Sequence, residues 1–575
     1  MKARDGTAAD QADLIVRNAK ITTLQRNGSA ADALAVRGEK FVAVGGQTEV
    51  MSLVGGGTRV VDAGGRLVIP GLNDSHMHAI RGGLQYNLEL RWDGAGSLQR
   101  GLEMIRDQAR RTPKGQWVRV MGGWSPYQFT EKRMPAVAEL TGAAPEVPVL
   151  VLFGYSQALL NRAGVAALRL SPGSEPAGSG RYEFTDGGLA VRGNTAVYAT
   201  IGGLPGLPDP GDRLSSTQHF FRELNRFGLT STVDAGESAT AYPEDYQAVA
   251  TLAAQPGFPV RISNFLFAQK PGTELPFWEK LTAQEHRGRN HALSRLNGYV
   301  LRGAGEVLAW SAHDYENFLA PRPELTEQAI AQTAAVTRVV AGHQWPIRIH
   351  ATYDQTISRV LDVFEQVFDE TGYSARWAID HAETITAANI ARIKAMGGGI
   401  AVQNRLSFSG EYFAERYGAQ AAASVQPLRQ IMDAGIPAGA GTDATRPASY
   451  NPWIALYWMV TGKTVGGTQI TSHDSRLSRE EALRLYTAGS AWFSGEEDVK
   501  GTIAPGQYAD FAILSADYFS VPDEQITAIE SVLTVTGGDV VYTAPPFEAF
   551  SPGPLPPVSP AWSPVAIFGG YQRGT

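Results

Sequence analysis

The chain of 575 residues contains no cysteine, so it has no disulfide bridge, no thiolate metal site and no cysteine nucleophile. It also lacks a run of lysine and arginine that would follow a phosphate backbone, and its net charge is −7, so no nucleic-acid partner is expected. No stretch long enough to span a bilayer is free of charges and glycines, and the first 13 residues lack the apolar core of a signal peptide. These absences predict a cytoplasmic protein with no membrane partner.

The composition is that of a folded protein with a substantial core, because 43% of the residues are apolar and 19% are charged. The length exceeds that of one ordinary domain and favours a large barrel with attached modules. Since cysteine is absent, histidine, aspartate and glutamate remain as the candidate metal ligands.

Both ends of the chain have the pattern of short β-strands joined by tight turns. Apolar runs at 34–36 and 41–44 flank a hairpin-like turn near the N-terminus, and runs at 532–536 and 540–542 flank another near the C-terminus. We infer that the two ends complete one small β-sandwich, with the central domain inserted between them. The tail 544–575 is rich in proline and glycine and is expected to lie extended on the surface.

Between these ends, apolar strands alternate with amphipathic helices, which is typical of a parallel α/β sheet. About 150 residues separate the first two strands, so we expect an insertion subdomain on the face where barrel active sites lie. The pattern predicts a TIM-type (β/α)₈ barrel whose strands end near Asn73, Asp234, Asn264, Gly303, Ile349, Asp380, Val402 and Thr442. The predicted segments are 1–68 and 496–543 for the sandwich, 69–84 for barrel strand 1, 85–215 for the insertion, 216–495 for the remaining barrel and 544–575 for the tail.

Five polar side chains follow the ends of apolar strands and predict a metal site. His76 and His78 lie two residues apart, so on an extended strand both imidazoles point the same way and can bind one ion. His350, His381 and Asp443 each stand where another strand ends. For His350 or His381 taken singly, the alternative is a core or surface histidine bonded to a backbone carbonyl. Together they favour a metal, because the carboxyl ends of barrel strands meet at one mouth.

With these motifs the chain resembles the amidohydrolase superfamily, and within it the YtcJ-like and N-substituted formamide deformylase-like proteins. The resemblance covers nearly the whole chain. The residues that carry it include Val68-Ile69-Pro70-Gly71 with His76-Met77-His78, Ile379-Asp380-His381-Ala382, and Lys500-Gly501-Thr502-Ile503-Ala504-Pro505-Gly506.

The resemblance implies that His76, His78, His350 and His381 are metal ligands and that Asp443 is a ligand, the general base, or both. A bound metal lowers the pKa of water towards about 7. Asp443 would accept the proton of that water and hand it to the leaving amine. The metal or a neighbouring histidine, which we take as His381, would polarise the scissile carbonyl.

One position departs from the family. Relatives often carry a strand-four lysine that becomes carboxylated and bridges two metals, whereas Val300 occupies the aligned position here. The sequence therefore favours a single ion, first Zn²⁺ and otherwise Fe²⁺ or Mn²⁺. Glu306 is a further candidate metal ligand. The alternative is a carboxylate that supports the ligands or lies on the surface.

Three further residues are candidates for substrate binding. Trp124 and Gln403 resemble family positions near the substrate, and His313 follows strand four. A core position is the alternative for Trp124, and a solvated loop is the alternative for His313 and Asp314.

The expected function is hydrolysis of a carbon–nitrogen bond, other than a peptide bond, in a small amide-like substrate. An esterase or phosphoesterase on the same barrel and a non-catalytic regulatory homologue remain the alternatives. The substrate's identity and a homodimeric state stay open.

Overall fold

Short strands form the N-terminal segment of the molecule. The computed structural model describes residues 11–25, 28, 30–176, 178–236, 240–285, 298–315 and 318–572. The first strands are β1 (Leu14–Arg17), β2 (Lys20–Ile21), β3 (Ala33–Arg37), β4 (Lys40–Gly45), β5 (Arg59–Asp62) and β6 (Leu67–Pro70), with the helix α1 (Gln47–Val50) before β5. The predicted hairpin is confirmed, since β3 pairs antiparallel with β4.

The next strand, β7 (Leu72–Met77), carries His76, and the helix α2 (Ala79–Gln85) follows it. The chain then builds a separate five-stranded sheet. The strands and helices of this insertion are α3 (Leu98–Ala109), β8 (Val118–Met121), α4 (Val137–Ala143), β9 (Val149–Phe153), β10 (Gln157–Asn161), α5 (Arg162–Ala167), β11 (Arg181–Thr185), β12 (Gly188–Arg192) and α6 (Asn194–Gly202). The strand order is β11-β12-β10-β9-β8, and β8 and β9 are its parallel pair.

The chain returns through strands and helices that alternate. The strands are β13 (Leu229–Asp234), β14 (Arg261–Leu266), β15 (Tyr299–Ala304), β16 (Ile347–Ala351), β17 (Trp377–His381), β18 (Gly399–Gln403) and β19 (Ala438–Gly441). The helices are α7 (Pro210–Arg226), α8 (Gln247–Ala253), α9 (Glu274–Glu285), α10 (Glu327–Gly342), α11 (Asp354–Thr371), α12 (Ala387–Ala395), α13 (Leu406–Tyr417), α14 (Ala419–Ala423), α15 (Leu428–Asp433), α16 (Pro452–Thr461) and α17 (Arg479–Arg484). Helix α11 illustrates why these segments are helical. Its apolar residues Ile357, Leu361 and Phe364 recur at helical spacing, and all three are buried.

Eight parallel strands form a nearly closed barrel in the order β19-β18-β17-β16-β15-β14-β13-β7. Between β7 and β19 the gap is bridged by backbone hydrogen bonds, from Asp443 N to His76 O at 2.8 Å and from His78 N to Ala444 O at 2.9 Å. The predicted (β/α)₈ barrel is confirmed. The predicted strand ends lie within four residues of the observed ones.

The C-terminal strands β20 (Phe511–Leu514), β21 (Ser531–Thr536) and β22 (Asp539–Thr543) join strands of the N-terminal segment. The two sheets have the orders β4-β3-β1-β5 and β2-β6-β20-β21-β22. Because β6 pairs antiparallel with β20, the prediction that both chain ends share one β-module is confirmed.

The C-terminal tail packs more closely than the sequence predicts. It contains the short helix α18 (Val565–Phe568). Beyond this helix, Tyr571 N donates to the carboxylate of Glu223 on α7, and Gln572 N donates to the carbonyl of Asp93 in the insertion. The tail therefore connects the barrel to the insertion instead of lying only on the surface.

None of the described helices has both the length and the apolar character needed to cross a bilayer.

Candidate metal centre

Six side chains meet at the carboxyl end of the barrel. They come from strands or from the residues just after them, and each is at most 6% exposed; they are His76, His78, Glu306, His350, His381 and Asp443. Five of these six are the residues that the strand ends pointed to. The strand register brings them together because the polar residue at the end of each parallel strand faces the same mouth.

Glu306 lies at the centre of this cluster, two residues after β15 ends. Its Oε2 is 2.9 Å from His381 Nε2, 3.2 Å from His350 Nδ1 and 3.6 Å from His76 Nε2. Its Oε1 is 3.4 Å from His78 Nε2. Glu306 is thus not a surface carboxylate, and its two oxygens face different histidines.

Asp443 lies beside the histidines of the first strand and beside a buried arginine. Its Oδ1 is 3.1 Å from His78 Nε2 and 3.6 Å from His76 Nε2, while its Oδ2 is 3.6 Å from Arg405 Nη1. Asp443 has a φ of +60° and His381 has one of +79°, a backbone region that non-glycine residues seldom adopt. Such strain persists where the surrounding structure demands it, commonly at functional sites.

The electrostatics of the cluster favour a cation. Burial lowers the pKa of the His76 imidazole, but the carboxylates of Asp380 and Glu306 more than reverse this and raise it to about 10. Burial likewise raises the pKa of Glu306, yet the facing histidines hold it well below its ordinary value. The hydrogen bonds of His76 and His78 lower the pKa of Asp443 against the effect of burial in the same way. Both carboxylates are therefore ionised, and they surround the imidazoles with negative charge.

Most of the imidazoles also contact a second group that fixes the ring. His76 Nδ1 is 3.4 Å from Asp380 Oδ2, and His350 Nε2 is 2.9 Å from Asp314 Oδ1. Among the described residues, His76 Nε2 has no hydrogen-bond partner although it is buried. Metal-binding histidines characteristically present one nitrogen to the ion and anchor the other on a carboxylate or carbonyl. The donor set of imidazoles and carboxylates therefore fits a divalent metal.

Asp74 supports the strand that carries His76. Its carboxylate accepts the His76 N–H at 2.9 Å, the Thr442 hydroxyl at 2.8 Å and the Tyr486 hydroxyl at 2.6 Å. Because Thr442 directly follows β19, these bonds join the first and last strands of the barrel beneath the metal centre. Burial raises the pKa of Asp74 to about 6.

Replacing Tyr486 by phenylalanine is expected to lower the free energy of unfolding by about 1–3 kcal/mol, since a buried carboxylate loses one of its donors. Chemical denaturation measures this change. Tyr182→Phe, in the outer strand β11, is the matched control and should change stability by no more than about 0.5 kcal/mol. Equal stabilities for Tyr486→Phe and the unmodified protein would show that Asp74 does not depend on this bond.

The three substrate-binding candidates have different surroundings. The ring of His313 lies 3.9 Å from that of His350 and forms part of the cavity wall, so the solvated-loop alternative is wrong for it, as it is for the fully buried Asp314. Trp124 lies in the core of the insertion, where its indole N–H donates to the Leu152 carbonyl. This is the core position given as its alternative.

Gln403 ends β18 and is 1% exposed. Its backbone carbonyl accepts from the Gln426 side chain. Its own amide nitrogen and oxygen have no hydrogen-bond partner within the part of the chain that the structure describes. Gln403 remains a candidate for binding substrate.

A small cavity opens directly over the metal centre. It holds about 20 Å³, room for about one water molecule. Its outer wall is aromatic, formed by Tyr155 and Tyr198 of the insertion and by Phe267 and Trp310 of the barrel. The insertion therefore closes the active-site face, as its position after the first strand predicts.

Arg405 was missed by reasoning from the sequence. It is 1% exposed, forms an ion pair with Glu383 at 2.6 Å and places Nη1 3.6 Å from Asp443 Oδ2. It lies two residues beyond β18, in the same position relative to its strand that Glu306 has relative to β15. Both residues lie three positions past the predicted strand ends at Gly303 and Val402, and of the two only Glu306 was named as a candidate ligand.

A (β/α)₈ barrel with a buried cluster of histidines and carboxylates at its carboxyl end is the arrangement of metal-dependent hydrolases. The chain belongs to the amidohydrolase family, whose family profile matches residues 59–542. It is an amidohydrolase enzyme, as the resemblance implied.

Similar proteins agree with this assignment. The chain is 24% identical to the N-substituted formamide deformylase of Arthrobacter pascens over 92% of this chain and 98% of that protein. An uncharacterized metal-dependent hydrolase from Pyrococcus horikoshii OT3 has a similar fold, with a TM-score of 0.63, 20% identity and coverage of 89% of this chain and 99% of the other. Atrazine chlorohydrolase TrzN from Arthrobacter aurescens TC1, solved with zinc, has a TM-score of 0.51 at 15% identity and covers 92% of this chain and 95% of its own.

Proposed function

We propose that the protein hydrolyses a carbon–nitrogen bond, other than a peptide bond, in a small amide-like molecule, with two divalent metal ions at the centre. The observation that carries this proposal is the position of Glu306, whose two carboxylate oxygens face different histidines. The sequence alone favoured one ion because the family lysine is absent. Glu306 offers a carboxylate that can replace the one that the lysine would supply, so we now favour two.

The ligands fall into two groups. His76, His78 and Asp443 form one set whose donor atoms lie within 4.8 Å of one another, and His76, Glu306 and His381 form a second. Because one imidazole nitrogen binds one ion, His76 would belong with His78 and Asp443, and Glu306 and His381 would hold the second ion. His350 adds Nδ1 on the side of Glu306 Oε2. Zinc is our first choice of metal, with Fe²⁺ and Mn²⁺ as alternatives, because all three accept imidazole and carboxylate ligands.

When bound, the metal supplies Lewis acidity, which lowers the pKa of water and polarises a carbonyl. Asp443 then acts as the general base. We assign Asp443 Oδ1 to metal binding, since it faces His76 and His78. We assign Oδ2 to proton transfer. It takes a proton from the attacking water and returns it to the leaving nitrogen. Arg405 positions Oδ2 from the other side. His381 Nδ1 lies 3.9 Å from Asp443 Oδ2. From this position His381 helps to polarise the scissile carbonyl of the substrate.

The similarity to a formamide deformylase supports an amide or formamide as substrate, and the zinc-containing neighbour supports zinc. The complete ligand set argues against a regulatory protein that has lost catalysis, since such a protein is free to lose ligands.

The test is a hydrolysis screen of N-substituted formamides and acetamides, with esters and phosphate monoesters of the same substituents as controls. We expect amine release from an amide, lost after chelation and restored by added zinc. Hydrolysis of the esters or phosphates alone would contradict the proposed bond specificity. A folded, metal-loaded protein that cleaves none of these compounds would contradict the proposal as a whole.

A further inference from the structure

Two buried guanidinium groups lie beside the metal centre. Arg81 comes three residues after His78, in the first turn of α2, and lines the cavity. Arg446 comes three residues after Asp443, in the segment that follows β19. The strands β7 and β19 are neighbours where the barrel closes, and His78 N donates to the Ala444 carbonyl at 2.9 Å. Both arginines therefore belong to the same side of the active-site mouth.

Arg446 carries a charge that the described chain does not neutralise. It is 5% exposed, its guanidinium forms no ion pair with the described residues, and its buried Nε has no hydrogen-bond partner there. The nearby carboxylate of Glu89 is already hydrogen-bonded to Arg91. Burial lowers the pKa of Arg446, and the charge of Arg81 lowers it further. A buried cation without an anionic partner is unfavourable, so an anion that reached this point would bind strongly.

The position of Arg446 is fixed by the insertion. Gly123 N donates to the Arg446 carbonyl at 3.2 Å. Gly122 has a φ of +92°, and a Cβ there would lie 2.0 Å from the same carbonyl oxygen. Only glycine allows this close approach. The Gly122-Gly123 pair therefore holds the loop of Arg446 against the barrel. The backbone of Arg446 is thus fixed by packing, unlike that of an exposed surface arginine.

An aromatic wall stands next to this charge. Tyr155 and Tyr198 stack with ring centroids 4.8 Å apart, and both lie near Arg446. They also line the cavity over the metal centre. A ligand that reaches both the metal centre and Arg446 would pass along these rings. Since the cavity holds about one water, we expect the two tyrosines to move outward when substrate binds.

We propose that the substrate carries a carboxylate, which Arg446 and Arg81 bind while the scissile carbon–nitrogen bond lies at the metal centre. A guanidinium matches a carboxylate in charge and in planar geometry. The aromatic wall takes an apolar group on the same molecule. The substrate class is thus an N-acyl or N-formyl amino acid with an apolar side chain. This inference rests on the proposed amidohydrolase function.

The test compares N-formylphenylalanine with N-formylphenylalaninamide, which is the same molecule without the negative charge. We expect kcat/KM of the unmodified protein to favour the acid by about 100-fold or more. Arg446→Met should lower kcat/KM for the acid by about 100-fold and leave that for the amide within about 3-fold. Arg446→Lys should recover part of the loss. Arg110→Met, at an exposed arginine of the insertion, is the matched control and should change neither value.

Equal use of the acid and the amide by the unmodified protein, or an equal loss on both in Arg446→Met, would overturn the inference and leave the amidohydrolase intact. If neither compound is cleaved, the proposed reaction is wrong. Calorimetric titration with the same two compounds then still tests whether the protein binds the substrate's carboxylate. Tighter binding of the acid that depends on Arg446 supports the inference. Equal binding of the acid and the amide overturns it.

Discussion

Asp443→Asn is expected to lower kcat/KM by about 10³-fold or more, because asparagine cannot accept the proton of the attacking water. The variant also replaces the charged oxygen that faces His76 and His78 by a weaker donor, so its metal content should fall as well. Asparagine is the right replacement because it tolerates the φ of +60° at this position about as well as aspartate does. Steady-state kinetics and elemental analysis of the same preparation measure both effects.

Asp474→Asn makes the same change of charge at a fully exposed carboxylate and serves as the control. We expect it to leave activity and metal content unchanged. Asp443→Asn protein that is folded and retains more than about a tenth of the activity would contradict the role of Asp443 as general base.

Glu306→Gln is expected to lower the bound metal from about two equivalents to about one and to lower kcat/KM by about 100-fold or more. The reason is geometric, since Glu306 is the carboxylate that contacts histidines of both ligand groups. Glutamine has the same shape but only one oxygen and no charge, so it cannot serve two ions. Titration with zinc, followed by elemental analysis after desalting, gives the stoichiometry.

Glu324→Gln, whose side chain is 83% exposed, is the matched control and should leave the stoichiometry unchanged. One equivalent of metal in both the unmodified protein and Glu306→Gln would restore the single-ion site that the sequence favoured. Glu306 would then be a supporting residue.

The barrel was predictable because short, largely apolar segments alternate with amphipathic helices, and several of these segments end at a polar residue. His350 and His381 illustrate this, since both follow mostly apolar segments and both lie at the carboxyl end of their strands in the structure. The hydrophobic pattern sets which residues lie in the sheet, and the parallel register then brings the strand ends together. The metal-ligand candidates were found because they stand at the carboxyl ends of predicted parallel strands.

The rest of the site lies outside that rule. Glu306 and Arg405 each stand two residues past a strand, in irregular backbone whose direction no periodicity predicts. The contact of Asp314 with His350 and that of Gly122 with Arg446 join segments distant along the chain. Such pairs depend on tertiary packing, so a single sequence does not reveal them. The contacts of the C-terminal tail with Glu223 and Asp93 are of the same kind and were not predicted.

The most direct test of the account is the metal content of the purified protein, measured by elemental analysis together with amide hydrolysis during chelation and reconstitution. We expect about two equivalents of a divalent metal, with activity lost as the metal is removed and regained as zinc is returned. A folded protein that binds no divalent metal, or one that hydrolyses its substrate at full rate after complete removal of metal, would contradict it.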